Sequence, residues 1–213
     1  MEPREGTQSA RRHKAIVDAA TALFLRKGYQ DTSVEEIAAL AAVGKQTVYK
    51  HFADKQRLFS AIILGNITTA EGFTTAAADI LRDTDDLQRD LREVARRYLA
   101  AVMQPSVLQL RRLIIAEAGR FPELARTYYE RVPGHTVTTL GSCFQDLAER
   151  GLLQADDPGL AASHFAGLVL GQPLNQAMFC GHDGPVSTSE WNHLADAAVR
   201  VFLAAYATSG SRP

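Results

Sequence analysis

The sequence predicts an all-α protein of about nine helices, on three observations. Apolar residues recur at helical spacing in nearly every segment, and neither sustained period-2 alternation nor an Asn-Gly hairpin signal is present. The glycines and prolines are scattered, so they punctuate an otherwise helix-friendly chain. Within that class the pattern predicts an N-terminal three-helix helix-turn-helix domain and a larger helical domain behind it.

From Arg11 to Lys27, residues Ile16, Ala19, Ala20, Leu23 and Phe24 fall at i, i+3, i+4, i+7 and i+8, one face of an amphipathic helix. Gly28 follows where a left-handed C′ residue is wanted. Ser33-Val34-Glu35-Glu36 reads as a capping box, opening a short helix whose buried face is Val34, Ile37, Ala38 and Ala41. Ala42-Val43-Gly44 is a break, and Lys45 to Phe52 a second short helix. Asp54 suits the N-cap of a long fourth helix through Leu58, Phe59, Ile62 and Ile63, ending near Leu81.

Further helices are expected from Asp85 to Met103 and from Val107 to Ala118, the latter closed by Gly119. Pro122 opens another at the position where its missing N–H costs nothing. That helix breaks at Pro133-Gly134 and resumes to Arg150, with Gly151 as its stop. The last two run from Pro158 to about Phe179 and from Ser189 to Tyr206. The expected division is an arm over 1–10, the helix-turn-helix over 11–58, a second domain over 59–207 and a frayed tail over 208–213.

Composition narrows the function. Across 213 residues, 46% hydrophobic and 22% charged content is that of a globular protein rather than a disordered one. No run approaches a membrane span, and Met1 to Lys14 lacks the apolar stretch of a signal peptide, so a cytoplasmic protein with no membrane partner is expected. Two cysteines, Cys143 and Cys180, without a Cys-x-x-Cys pair, read as buried filler. The net charge of −1 hides an asymmetry: residues 1–60 hold ten Lys and Arg against seven Asp and Glu, and the remainder thirteen against seventeen. Nucleic acid therefore belongs at the front end.

Two short helices joined by a tight turn and preceded by a third form the sequence image of a DNA-reading unit. Such a unit needs buried anchors, supplied here by Val48 and Phe52, and an exposed face of donors and acceptors, supplied by Lys45, Gln46, Thr47, Tyr49, Lys50 and His51. Lys55, at the start of the next helix, sits where the dipole disfavours a cation unless an anion lies nearby.

The stretch from Ala15 to Leu64 closely resembles the TetR/AcrR family of one-component regulators. The resemblance rests on Leu23-Phe24, Gly28-Tyr29, Thr32-Ser33-Val34, Ile37-Ala38, Val43, Thr47-Val48-Tyr49-Lys50-His51-Phe52, Lys55 and Leu58-Phe59. It implies an all-helical homodimer that binds double-stranded operator DNA and releases it when a small-molecule effector enters the C-terminal domain. It further implies that Lys45, Gln46 and Thr47 approach base edges, Gln46 suiting adenine. Tyr49, His51 and Lys55 would hold phosphates, with Thr32 as a further phosphate contact. The chain departs from the family pattern at Ala42, where Gly is usual in the turn, and at Gly44, where Ser or Thr is the usual N-cap.

Residues 60–208 carry no enzyme signature, and no cofactor is expected. Cys180, His182, His193 and His164 are the sole group resembling metal ligands, at spacings that fit no standard zinc pattern. The resemblance places the effector among the central helices, here near Phe73, Tyr98, Val102, Leu113, Glu117, Phe121, Tyr128 and Phe144. It makes the last two helices the dimer interface, read here on Phe165, Val169, Leu170, Leu194, Ala198 and Val201. Two other readings compete: a DNA-binding regulator without an effector, whether partner-regulated or architectural, and an all-helical enzyme or metal-binding protein.

Overall fold

The computed structural model describes residues 5–65, 67–180 and 188–208. Among these are eleven α-helices and one π-helical turn, with no strand beyond an isolated antiparallel bridge between Leu153 and Ala207. No helix is long and apolar enough to cross a membrane among the described residues. The chain forms two compact units. The described residues before Ile67 join Gln109–Tyr128 in one, and Ile67–Leu108 join the described residues from Tyr129 onward in the other.

The first unit holds α1 (Glu5–Lys27), α2 (Val34–Leu40), α3 (Lys45–His51) and α4 (Lys55–Gly65), with most of α7 (Pro105–Glu117) and α8 (Pro122–Tyr129). Its core is the predicted face of α1, with Ile16, Ala20 and Phe24 at 0–1% exposure, against Ile37 of α2 and Leu58, Phe59, Ile62 and Ile63 of α4. Gly28 ends α1 at φ +84°, its N–H donating to the Phe24 carbonyl at 2.9 Å. The capping box forms in full: the Glu36 N–H donates to Ser33 Oγ at 3.2 Å, and the Ser33 N–H to the Glu36 carboxylate at 2.9 Å. Asp54 caps α4 by accepting the Arg57 N–H at 2.7 Å.

Two expectations change. Helix α1 starts at Glu5, so the arm expected over 1–10 is helical from Glu5, and its first four residues lie outside the described set. The boundaries 11–58 and 59–207 give way to a first unit that keeps all of the described α4 and adds residues from Gln109 to Tyr128. The long fourth helix expected to end near Leu81 is described as α4 up to Gly65 and α5 from Ile67 to Arg82, with residue 66 between them outside the described set.

Ala42 has φ +53°, the sole non-glycine in the left-handed region among the described residues. The turn between α2 and α3 thus demands what Gly supplies freely, and Ala supplies it against a Cβ clash. Ala42→Gly is expected to raise the stability of the protein by up to ~1 kcal/mol, the relief being partly offset by a looser unfolded chain. Chemical denaturation checks this, and a destabilised variant would show that the turn carries no strain.

The second unit packs α5 (Ile67–Arg82) and α6 (Leu87–Val102) with α9 (His135–Glu149), α10 (Pro158–Cys180) and α11 (Thr188–Tyr206). Phe144, Phe165 and Phe202, one from each of the last three helices, meet with ring centroids 5.1–5.7 Å apart. All three are at 0% exposure. The Arg150 guanidinium closes the end of α5, donating to the carbonyls of Arg82 and Thr84, each at 2.8 Å. The expected break at Pro133-Gly134 is instead the π-helical turn Glu130–Gly134, running directly into α9. Widening to i→i+5 accommodates a proline ring and its missing N–H without stopping the helix.

Candidate nucleic-acid interface

Helix α3 is held from below and open above. Val48 and Phe52 are buried at 2% and 7% exposure, while Lys45, Gln46, Tyr49 and Lys50 are exposed and Thr47 and His51 half-buried. The six polar residues expected to face DNA are therefore brought together on one short helix. Gly44 is its N-cap, in extended conformation and without a side-chain hydrogen bond. The first turn thus depends on the Gly44 carbonyl, which accepts the Thr47 N–H at 2.8 Å. Charge is tied down around it: Lys45 hydrogen-bonds Glu35 of α2, which raises the lysine pKa and lowers that of the carboxylate. Lys27 and Ser33 hold the Glu36 carboxyl down to about 2. The Lys45–Glu35 pair is exposed, and phosphate competes easily for such a cation, whereas Lys27 is half-buried.

Two expected phosphate contacts are otherwise engaged. The Lys55 ammonium donates to the carbonyls of Tyr29 and Thr32, each at 2.8 Å, and more weakly to that of Gln30 at 3.4 Å. It also lies 4.3 Å from the centre of the Tyr29 ring. Burial, with the Arg120 charge nearby, holds its pKa below the usual lysine value. The unusual cation at this helix start is thus answered by carbonyl oxygens of the turn before α2, without needing a phosphate. Thr32 is 2% exposed and donates its hydroxyl to the Gly28 carbonyl at 2.8 Å, so its side chain points inward. Lys55→Met is expected to cost about 2 kcal/mol of stability while leaving the salt dependence of DNA binding unchanged. A salt slope reduced by about one unit would restore Lys55 to the phosphate contacts.

Tyr29 is the hub that the sequence reading did not single out. Its ring lies 5.6 Å from Phe24, 4.9 Å from Phe59 and 5.0 Å from Phe121, with the Arg120 guanidinium 5.9 Å away. Phe121 also meets Phe59 at 5.5 Å. Phe121, expected to line an effector site, therefore serves the core of the reading unit. The tyrosine is visible in the Gly28-Tyr29 pair, but its partner 92 positions away has no local signal.

The remaining effector candidates divide between the units. Leu113, Glu117 and Tyr128 belong to the first, Phe73, Tyr98, Val102 and Phe144 to the second. Phe73 stacks on Tyr98 at 4.8 Å, and Glu117 lies 3.8 Å from the Arg120 guanidinium. Phe144 is withdrawn from the set, because its ring is sealed within the phenylalanine cluster. Arg111, which the sequence reading did not name, has a buried Nε without a hydrogen-bond partner. Its charge opposes the rise that burial imposes on the Tyr128 pKa.

The dimer residues also need correction. Phe165, Val169, Leu170 and Ala198 are 0–7% exposed within their own chain, and Leu194 packs partly buried against the same core. Only Val201 of that set faces outward, at 54% exposure. Beside it, Ser163, His164, Gly167, Leu168 and Ala205 help line an open apolar groove of about 560 Å³ on α10 and α11. His164 Nδ1 and the Tyr206 hydroxyl share a hydrogen bond of 2.6 Å there. Among the described residues no group of three His, Cys, Asp or Glu side chains is placed to hold a metal, and His182 lies outside that set.

Comparison with known proteins places these features. Residues 16–62 match the family model of bacterial regulatory proteins of the tetR family, and residues 89–208 that of the AefR-like transcriptional repressor C-terminal domain. A solved structure from Mesorhizobium loti, assigned to the TetR family of transcriptional regulators, is 43% identical with a TM-score of 0.85. The match covers 97% of this chain and 100% of that one. The flavonoid-responsive regulator FrrA is 30% identical with a TM-score of 0.71, over 94% of this chain and 99% of its own. The HTH-type transcriptional regulator YvkB of Bacillus subtilis is 27% identical over 75% of this chain and 79% of its own. The chain belongs to the TetR family of DNA-binding transcriptional regulators, characteristically repressors with a ligand-binding C-terminal domain, and it is not an enzyme.

Proposed function

We propose that this protein is a cytoplasmic repressor that binds a palindromic operator as a homodimer and leaves it when a small molecule occupies its C-terminal domain. The observation that carries the reading is α3, with Lys45, Gln46, Tyr49 and Lys50 exposed above the buried Val48 and Phe52. Lys45, Gln46 and Thr47, at its N-terminal end, approach base edges in the major groove. Tyr49, Lys50 and His51 hold flanking phosphates. Lys55 and Thr32 act indirectly, by fixing the turn that presents α2 and α3.

A two-fold operator needs a two-fold protein. The outward groove containing Leu168 and Val201 is the surface assigned to a second copy, in place of the inward stripe. For the effector, likeness to a flavonoid-responsive regulator at 30% identity supports a small-molecule ligand. Within the first unit Leu113, Glu117 and Tyr128, with Arg111 added, are one set of candidate contacts, and within the second Phe73, Tyr98 and Val102 are another. Such a ligand releases DNA only by binding the non-operator state better than the operator state.

The test is binding of the protein to DNA upstream of its own coding region, across a salt series, with Tyr49→Ala alongside. Saturable nanomolar-range binding that weakens with salt is expected. Tyr49→Ala is expected to lose about tenfold, equivalent to one phosphate contact of ~1.4 kcal/mol, without a change in melting temperature. Wild-type affinity in that variant would remove Tyr49 from the interface.

A further inference from the structure

We propose that operator binding is linked to proton uptake at a paired imidazole site, His13 of α1 with His51 of α3, which makes His13 a DNA-binding residue of the reading head. The inference deepens the reading of α3 as the DNA-facing helix and rests on it. His13 is exposed, and its ring lies 5.7 Å from the His51 ring in an edge-on arrangement and 4.9 Å from the Phe52 ring. Phe52 is the buried C-cap of α3, so the two imidazoles are held together at the end of the helix that carries Tyr49 and Lys50.

The charges acting on His51 are of one sign. They are His13 and Arg12 of α1 and Lys50 of its own helix. Among the described residues no carboxylate acts on His51; Asp18 of α1 pairs with Lys14, and Asp54 accepts the first-turn N–H of α4. Burial first, and then His13, Lys50 and Arg12, hold the His51 pKa below its ordinary value. In the free protein His51 is therefore mainly neutral at neutral pH.

A phosphate docking at this cluster supplies the missing negative charge, which favours the imidazolium form. The bound state then has the higher pKa, so the complex holds more protons than the separated partners. By linkage, affinity rises as pH falls through the interval between bound and free pKa values, and is flat above and below it. The basic stretch of α1 thereby becomes part of the DNA contact through a side chain whose charge depends on the complex.

The experiment measures operator affinity at pH 6, 7 and 8 at constant ionic strength, using wild type, His13→Gln, His51→Gln and the double variant. Circular dichroism confirms that each is folded. Wild-type affinity is expected to rise about tenfold from pH 8 to pH 6. The double variant is expected to be flat, with each single variant intermediate. Calorimetry in buffers of different ionisation enthalpy is expected to show uptake averaging about half a proton per bound dimer over that interval, and less in His13→Gln. A pH-independent wild-type affinity, or a pH dependence that survives in the double variant, would overturn the proposal. Absence of operator binding at every pH would instead bring down the reading of α3, and this inference with it.

Discussion

Val201→Glu is expected to leave the protein monomeric at micromolar concentration and to weaken operator binding by at least about a hundredfold, with its melting temperature close to that of the wild-type monomer unit. Val201 is 54% exposed, so its own chain loses little by the change. In a two-fold dimer built on the α10–α11 groove, however, the substitution buries a carboxylate from each copy without a partner. Desolvation of that kind costs several kcal/mol and is not recovered by contacts at the rim. A monomer then reaches only one half-site, which accounts for the large loss in DNA affinity. The contrasting variant is Ala198→Glu. Ala198 is 5% exposed inside the protomer, so this change is expected to unfold the second unit rather than dissociate a dimer. Light scattering separates the two outcomes. A dimeric Val201→Glu protein with full affinity would show that copies meet elsewhere.

Phe59→Ala is expected to cost the first unit about 3–5 kcal/mol, the range for truncating a buried aromatic. The side chain is 1% exposed, and its ring packs on Phe24 at 5.4 Å, Tyr29 at 4.9 Å and Phe121 at 5.5 Å. Removing it opens a cavity where α1, α4 and the residues near α8 meet, and loosens the ring on which Lys55 rests. Operator affinity should fall with stability, because the turn before α2 is hydrogen-bonded to Lys55. Urea denaturation measures the loss. A cost below about 1 kcal/mol would mean that the neighbours collapse into the gap and the cluster is not a rigid support. Phe121→Ala should be milder, since Phe121 is only half-buried.

The reading head was legible because its signals are local. A capping box places four consecutive residues, and Ser33 to Glu36 form one. The Gly28 and Gly151 stops are set by their own backbone, and both take positive φ, +84° and +73°. Ala42 was legible as an unusual turn residue only through the family pattern, and its φ of +53° came from the structure. Lys55 was misleading because a cation at a helix start has two possible remedies. The phosphate was suggested by the motif, whereas the carbonyls of Tyr29 and Thr32 are 23 or more residues away.

The dimer residues show the limit most clearly. Helix α10 carries apolar residues on both its inward and outward sides, Phe165 and Val169 against the core and Leu160 and Leu168 in the open. Periodicity reports angles around a helix's own axis, and it says nothing of whether the facing surface belongs to the same chain, a second copy or water. By itself the sequence therefore determined the helical class, the cap and stop residues, the anchors Val48 and Phe52, and the polar face of α3. Only the tertiary structure decided that Phe121 supports Tyr29, that Lys55 turns inward, that residues 109–128 join the first unit, and which apolar stripe of α10 is left exposed. Caps and helical faces are set within a few residues, whereas these four outcomes depend on which distant surface reaches each side chain first and excludes water from it.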